Sequence, residues 1–405
     1  KGSVYGRFAI AFYDDDSVKE RKALEQGARD GIPLAMVYLA RAIARGASTP
    51  EDSEEIRSWL DLALELGEPL AKIEKGVQLA LGKLGPRDTA GAERLFAEGT
   101  LDCPDLCPEV GHFYWVKSEG VIPKEESDPK GLAYWRKAAL RGDIGSMALV
   151  GQCYMNGVHV ARDIKEGLRW TEQAAQGGDV PAMMDLGLHY AWGEEDTHKG
   201  RDGERAVHWF SKAAEKGDTL AVVFLADMYR EGRAVPKDLP RALQLYRNLV
   251  EDDVRDAMVH LGEMYEKGEG VPQDWSEAYF WYVLGWDKVG WEFGPPRVNP
   301  HLAAEARTRI EARAAAWRRS RAERGRNADQ FRLGEMYEKG LGVPRDLSKA
   351  YFWYILAGPE WPWGRQKLAG QVPVAERASI EAQAKAWKPK GQPPAKHGGK
   401  SSPKR

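Results

Sequence analysis

Cysteine is scarce, with three in 405 residues, too few for a disulfide-dense scaffold. No apolar run approaches the ~18 residues of a membrane-spanning helix, so no span is expected. An excess of one charge is lacking as well. The net charge of −2 supplies no overall field for nucleic acid, and no such partner is expected. Catalytic signatures are missing too: Gly-x-x-x-x-Gly-Lys-Ser/Thr, His-Glu-x-x-His and Gly-x-Ser-x-Gly do not occur. The eight histidines are scattered, and none stands with a serine or cysteine as base to nucleophile. Cys103, Cys107 and His112 fall short of the four ligands of a structural zinc, because Cys153 is a full repeat away. A local Cys103–Cys107 disulfide is weighed there against free thiols. No enzyme activity, metal or cofactor is expected.

What the chain does have is repetition. Residues 261–281, Leu-Gly-Glu-Met-Tyr-Glu-Lys-Gly-Glu-Gly-Val-Pro-Gln-Asp-Trp-Ser-Glu-Ala-Tyr-Phe-Trp, return nearly unchanged at 333–353. Ala257, Met258, Leu261, Gly262 and Tyr265 recur at spacings of three and four, one apolar helix face. Gly262 lies within that face, where it admits a neighbouring helix closely. Gly268, Gly270 and Pro272 then end the helix rather than cradle a phosphate, since no helix starts on them. Asp274 is a candidate N-cap, with Glu277 to complete a capping box. Ala278 and Trp281 open a second apolar face. Such a hairpin cannot bury its own apolar surface and must stack on copies of itself.

An aspartate marks the phase along the whole chain, at positions 16, 52, 88, 128, 163, 202, 238, 274 and 346. Seven residues beyond it stands Trp59, Trp135, Trp170, Trp209, Trp281 or Trp353 in six cases. First helices carry Gly111 with Tyr114, Gly151 with Tyr154, Gly187 with Tyr190, Ala226 with Tyr229, Gly262 with Tyr265 and Gly334 with Tyr337. The pattern Leu-Gly-x-x-Tyr-x-x-Gly-x-Gly-Val-x-x-Asp-x-x-x-Ala-x-x-Trp resembles the Sel-like repeat, a branch of the tetratricopeptide group, over roughly residues 4–358. The resemblance implies an all-α fold, a right-handed α/α superhelical solenoid of stacked helix-turn-helix repeats.

On this basis residues 1–30 are a worn N-terminal capping repeat and 31–290 the repeat array. An aromatic and Arg-rich insert follows over 291–328, then a final repeat over 329–358. A loop and capping helix span 359–388, and a basic tail, expected to be disordered, spans 389–405. Ile380-Glu381-Ala382 and Ala386-Trp387 echo Ile310-Glu311-Ala312 and Ala316-Trp317, so the last hairpin and its extra helix read as a tandem copy. The eight arginines of 307–326 are read first as a solvated helix face with i,i+4 pairs, and second as a docking site for an acidic partner. The acidic loop 193–204 lacks the ligand spacing of a calcium site.

The family implies a protein-binding scaffold whose first helices line a concave face. That nominates Trp115, Gln152, Asp185, His189, Trp192, Arg230, Glu263, Lys267, Glu335 and Lys339 as partner-binding residues for a protein or peptide. Trp286, Trp291 and Phe293, with Trp361 and Trp363, form a second aromatic set. They either cover the last hairpins or stack on a polysaccharide. The chain starts at Lys1 without an initiator Met, consistent with a removed export signal or with an arbitrary boundary. A periplasmic or cell-envelope setting is expected, with a cytoplasmic adaptor, a toxin-neutralising protein and a glycan-binding or glycan-cleaving protein as alternatives.

Overall fold

A computed structural model describes residues 17–47, 49–117, 122–158, 160–193, 200–285 and 298–390. Every regular element among them is helical. The chain divides into two compact units, residues 1–186 and 187–405. In the first, α1 (Ser17–Arg29) precedes four hairpins. They are α2 (Pro33–Gly46) with α3 (Pro50–Glu65), α4 (Leu70–Ala80) with α5 (Thr89–Asp102), α6 (Cys107–His112) with α7 (Lys124–Ala139), and α8 (Ile144–Asn156) with α9 (Ile164–Gln176). A π-helical turn, Phe113–Lys117, prolongs α6. The division between units falls inside α10 (Val180–Trp192), whose last residues pack on α11 (Gly203–Glu215).

The second unit continues with α12 (Thr219–Glu231) and α13 (Leu239–Glu251), then α14 (Arg255–Lys267) and α15 (Trp275–Gly285). A single helix, α16 (Ala304–Ala322), precedes the hairpin of α17 (Asn327–Lys339) and α18 (Leu347–Leu356). Helices α19 (Pro362–Ala369) and α20 (Val374–Ala386) close it. Within each unit, helices consecutive in sequence pack on one another, the pattern of an α/α solenoid. Asp16, Trp286, Trp291, Phe293 and the tail from residue 391 lie outside the described residues.

One joint builds the hairpins. The N–H of the phased aspartate donates to the carbonyl nine residues earlier, near the end of the first helix: Asp163 to Tyr154 at 2.9 Å, Asp238 to Tyr229 at 2.8 Å, Asp274 to Tyr265 at 3.0 Å and Asp346 to Tyr337 at 2.9 Å. The same bond joins Asp202 to Tyr190 across a longer loop, and Asp88 to Leu79. The aspartate carboxylate then accepts the N–H three residues on, capping the second helix. Gly268 and Gly340, with φ near +70°, end first helices in the left-handed conformation that L-residues avoid. Two positions keep the phase without the role. Asp52 is the third residue of α3, reciprocally bonded to the N-cap Thr49, and Asp128 lies inside α7 behind Pro123. The capping box expected of Glu277 gives way to an ion pair, its carboxylate forking onto Arg313 at 2.6 and 3.0 Å.

Packing within a hairpin follows from the first-helix glycine. A Cβ on Gly262 would lie 2.6 Å from the Tyr282 ring, one on Gly334 2.8 Å from Tyr354, and one on Gly187 2.5 Å from Phe210. The second-helix residue that fills this notch is the one after the phased Trp in these hairpins. Ala226 leaves room for Tyr246 in the same way, and both are fully buried. Aromatic rings therefore sit against bare backbone, which buries large apolar area at each joint.

The Arg-rich segment keeps Arg309, Arg313, Arg319 and Arg324 exposed, as its sequence reading has it, and departs from that reading at two positions. Arg318 and Arg321 are 1% and 2% exposed, not a solvated face. Both hold Asp329, which is 0% exposed, at 2.6 and 2.9 Å. Arg318 also donates to Asp253 and to the Leu284 carbonyl, and Arg321 to Glu251 and the Val250 carbonyl. Burying charge is tolerated here because each guanidinium meets several acceptors. Helix α16 thereby clamps the α13–α14 turn, α15 and α17 together. Removing one partner strands the others: Asp329→Ala is expected to cost about 3–5 kcal/mol in urea unfolding. A loss below about 1 kcal/mol would contradict the clamp.

A second prediction inverts helix propensity. Alanine is the better helix former by ~1 kcal/mol, yet Gly262→Ala is expected to lose about 1–3 kcal/mol through its contact with Tyr282. Gly46→Ala, with nothing within 4 Å of the new carbon, is expected to be neutral or to gain up to about 1 kcal/mol. Equal urea midpoints for the two variants would refute the notch.

Candidate functional site

The first helices present their polar residues in a regular cross-repeat ladder. The residue after the notch position bonds to the residue two before the next notch, 33 positions on. Arg41 on α2 pairs with Glu74 on α4 at 2.7 Å, and Gln152 on α8 donates to Asp185 on α10 at 3.2 Å. In the second unit, Asp227 on α12 and the ring of His260 on α14 are 3.5 Å apart. Burial raises the Asp185 carboxyl above its ordinary value, with Gln152 offsetting part of this. Residues about one helical turn out of phase thus face one another between these consecutive first helices.

The densest cluster lies between α12 and α14. Arg230 donates to Glu263 and to Glu269, each at 2.7 Å, and its guanidinium lies 3.2 Å from His260 Nδ1. Tyr246 donates to Asp227 from beneath, and its ring lies tilted against His260 at 5.1 Å. Burial, reinforced by the Asp227 charge, pushes that phenol well above its ordinary value, so it remains a donor. Burial alone would raise the Glu263 carboxyl, but His260 and Arg230 hold it down at about 2. Beside the cluster, Trp192 packs edge-on against Phe224 at 5.4 Å, and Arg233 covers its ring at 5.1 Å. The surface is mixed in charge, aromatic at one edge, and held rigidly from below.

The nominated residues divide by unit and by exposure. In the first unit, Trp115 sits on the π-turn, exposed along one edge and 4.8 Å from Trp135, while Gln152 and Asp185 satisfy each other. In the second, His189 and Trp192 end α10, and Glu263 and Lys267 lie on α14. Glu335 on α17 is bonded by Arg332 at 2.6 Å and Lys339 at 3.3 Å. Arg230 corrects the expectation most sharply. It is 8% exposed, its charge being spent on two carboxylates, so it supports the surface rather than contacting a partner. The nomination missed Asp227, His260, Glu269, Phe224 and Arg233. The 33-residue spacing of Asp227 to His260 and of Arg230 to Glu263 was the available signal.

Other candidates resolve more simply. Cys103 and Cys107 stand as free thiols in this structure. Cys103 ends α5 half-exposed, whereas Cys107 begins α6 with its thiol buried in the core. Trp361 and Trp363 pack on Phe331 at 4.7 and 5.6 Å, covering the last hairpin. Among the described residues, no three His, Cys, Asp or Glu side chains gather so as to hold a metal. No helix among them is long and apolar enough to cross a membrane.

With this geometry established, comparison with known families is decisive. The Sel1 repeat matches residues 33–68, 116–143, 144–179, 180–218, 219–249, 255–284 and 328–358, more than half of the chain. The chain belongs to the Sel1 repeat family. The family pattern passes over residues 69–115, although α4 and α5 share the notch (Gly76 against Phe96 at 2.7 Å) and the Asp88 joint. Among solved structures, c5321, a protective antigen of uropathogenic Escherichia coli, is similar at 24% identity over 91% of this chain and 94% of that one, with a TM-score of 0.37. A Sel1 repeat protein from Oxalobacter formigenes shares 23% over 89% of each chain, with a TM-score of 0.38. Immunity protein Pa5087 from Pseudomonas aeruginosa shares 15%, covering 68% of this chain and 84% of that one, with a TM-score of 0.26.

The cluster makes a pH prediction. Folding holds the Glu263 carboxyl well below the ordinary range of a glutamate. The sign follows from linkage: its stabilisation is full above that range and is lost as pH falls toward about 2. Glu263→Gln should therefore be less stable at neutral pH and should flatten the fall of the urea midpoint across this acid window. Parallel profiles for the two proteins would remove Glu263 from the account.

Proposed function

We propose that this Sel1 repeat protein is a non-catalytic scaffold that holds a protein or peptide partner on the first-helix face of its second unit. The observation that carries the reading is the pre-formed surface of α10, α12 and α14. There an aromatic anchor, Trp192, adjoins charges that Arg230 and Tyr246 fix from below. A surface already ordered before binding loses less side-chain entropy when a partner arrives. Aromatic anchors beside organised charge are the usual makers of affinity and specificity. Lys267, exposed at the end of α14, and His189 on α10 extend this contact area. Family membership supports a protein partner in the same direction. The setting we favour is the bacterial cell envelope, on family resemblance alone, with a cytoplasmic adaptor as the alternative.

The test compares affinity capture, followed by cross-linking and mass spectrometry, for the intact protein and for the combined variant His189→Ala, Trp192→Ala, Lys267→Ala. Recovery of the specific partner is expected to fall about tenfold or more. Circular dichroism checks that the variant is folded. Leu101→Ser, at a site 82% exposed on second helix α5, should leave recovery unchanged. Equal recovery by both variants would refute this face as the binding site, and cross-links confined to second helices would do the same.

A further inference from the structure

Behind the last hairpin, α18, α19 and α20 line a cleft of about 640 Å³, open on one side, within the ~300–1,000 Å³ range of small-molecule sites. Tyr351, Pro359 and Pro362 supply apolar wall, while Arg365, Arg377 and Glu381 supply charge. Glu381 is already answered. Tyr351 donates to it at 3.1 Å, and Arg365 stands 3.8 Å away. Arg377 is different: its Nε is buried and has no hydrogen-bond partner. Two guanidiniums against one carboxylate leave the lining with one positive charge in excess.

The neighbouring copy of the motif sharpens the contrast. Arg307, Glu311 and Tyr279 on α16 and α15 stand in the places of Arg377, Glu381 and Tyr351, and Tyr279 donates to Glu311 at 2.7 Å. There the following hairpin closes in, its Gly342 so near the Glu311 carbonyl that a Cβ would lie 2.0 Å from it. After α20 the described chain holds only Trp387–Lys390, which turns back to bond Glu323. The second copy has the same side chains, and among the described residues no loop covers it.

We propose that this cleft binds an organic carboxylate with an apolar flank, the carboxylate taken by Arg377 and the flank lying against Tyr351 and the prolines. The planar guanidinium fork matches a carboxylate in geometry. A single excess positive charge suits a monoanion better than a dianion. The apolar walls suit an aliphatic flank better than a polyhydroxylated one. This site is separate from the first-helix face and stands or falls independently of it.

Calorimetric titration of the full chain tests the assignment with N-acetyl-leucine, N-acetyl-leucinamide, inorganic phosphate and glucuronate. N-acetyl-leucine is expected to bind, with the uncharged amide at least about tenfold weaker. Arg377→Gln should abolish binding without lowering the melting temperature, and Arg377→Lys should retain a weakened fraction. No heat with N-acetyl-leucine up to about 10 mM, equal binding of acid and amide, or unchanged binding by Arg377→Gln would overturn the proposal. Tighter binding of phosphate or glucuronate would overturn it too. Octanoate and the peptide Gly-Gly-Gly-Leu identify the source. Stronger octanoate supports a free acid as the ligand, and stronger peptide supports a chain terminus.

Discussion

One backbone hydrogen bond sets the geometry of nearly every hairpin: the N–H that opens the second helix donates to a carbonyl at the end of the first. Helix ends leave such groups unsatisfied, and each would cost free energy if buried alone. Pairing them across the turn satisfies both at once and fixes the distance between the two helices. The carboxylate of the same aspartate caps the helix it begins, so one residue closes the loop and starts the next element. With the separation fixed, the first-helix glycine must face the second helix, and an aromatic ring fills the gap. Position Gly76, Gly187, Gly262 or Gly334 is then determined by the joint rather than by helix propensity, which it opposes.

The same repetition decides which charges are available to a partner. Because consecutive first helices pack about one helical turn out of register, a polar residue on one can meet the residue 33 positions on. Arg41 with Glu74, Gln152 with Asp185, and Asp227 with His260 are instances of one rule. Charges placed on the ladder are consumed by it and become scaffold, as Arg230 shows. Residues near helix ends can fall outside this pairing. Trp192 and Lys267 are of this kind. Affinity on such a surface comes from the escaping residues, and its rigidity from the paired ones.

Local patterns were legible in the sequence; relations between repeats were not. The phased aspartate, the Gly–Tyr pairs and the loop glycines each report a constraint within one hairpin, and the family pattern follows from them. Arg318 and Arg321 show the limit. Their acceptors, Asp253, Glu251 and Asp329, lie up to 70 residues away and are supplied by the hairpins before and after α16. From composition alone, an arginine run interspersed with glutamates has the look of a solvated face. Asp329 carries no mark that it is buried. Arg230 misled for a related reason, since its helix position is right for a surface but Glu263 and Glu269 close over it.

Helix α16 explains how an array can skip a hairpin without losing continuity. The loop residue Gly270 packs on Leu239 at the start of α13, and Ala234, held at φ 59°, presses its carbonyl on Gly203 at the start of α11. Each loop therefore rests on the second helix of the hairpin before it. Gly342 makes the corresponding contact on Glu311 of α16, so this one helix occupies the place of a second helix. The long arginine side chains then reach the turns that a full hairpin would have touched directly. Helix α20 repeats the substitution at the end of the array, where no described loop comes to rest on it. Among the described residues no loop covers its polar groups, which is a physical origin for the cleft there.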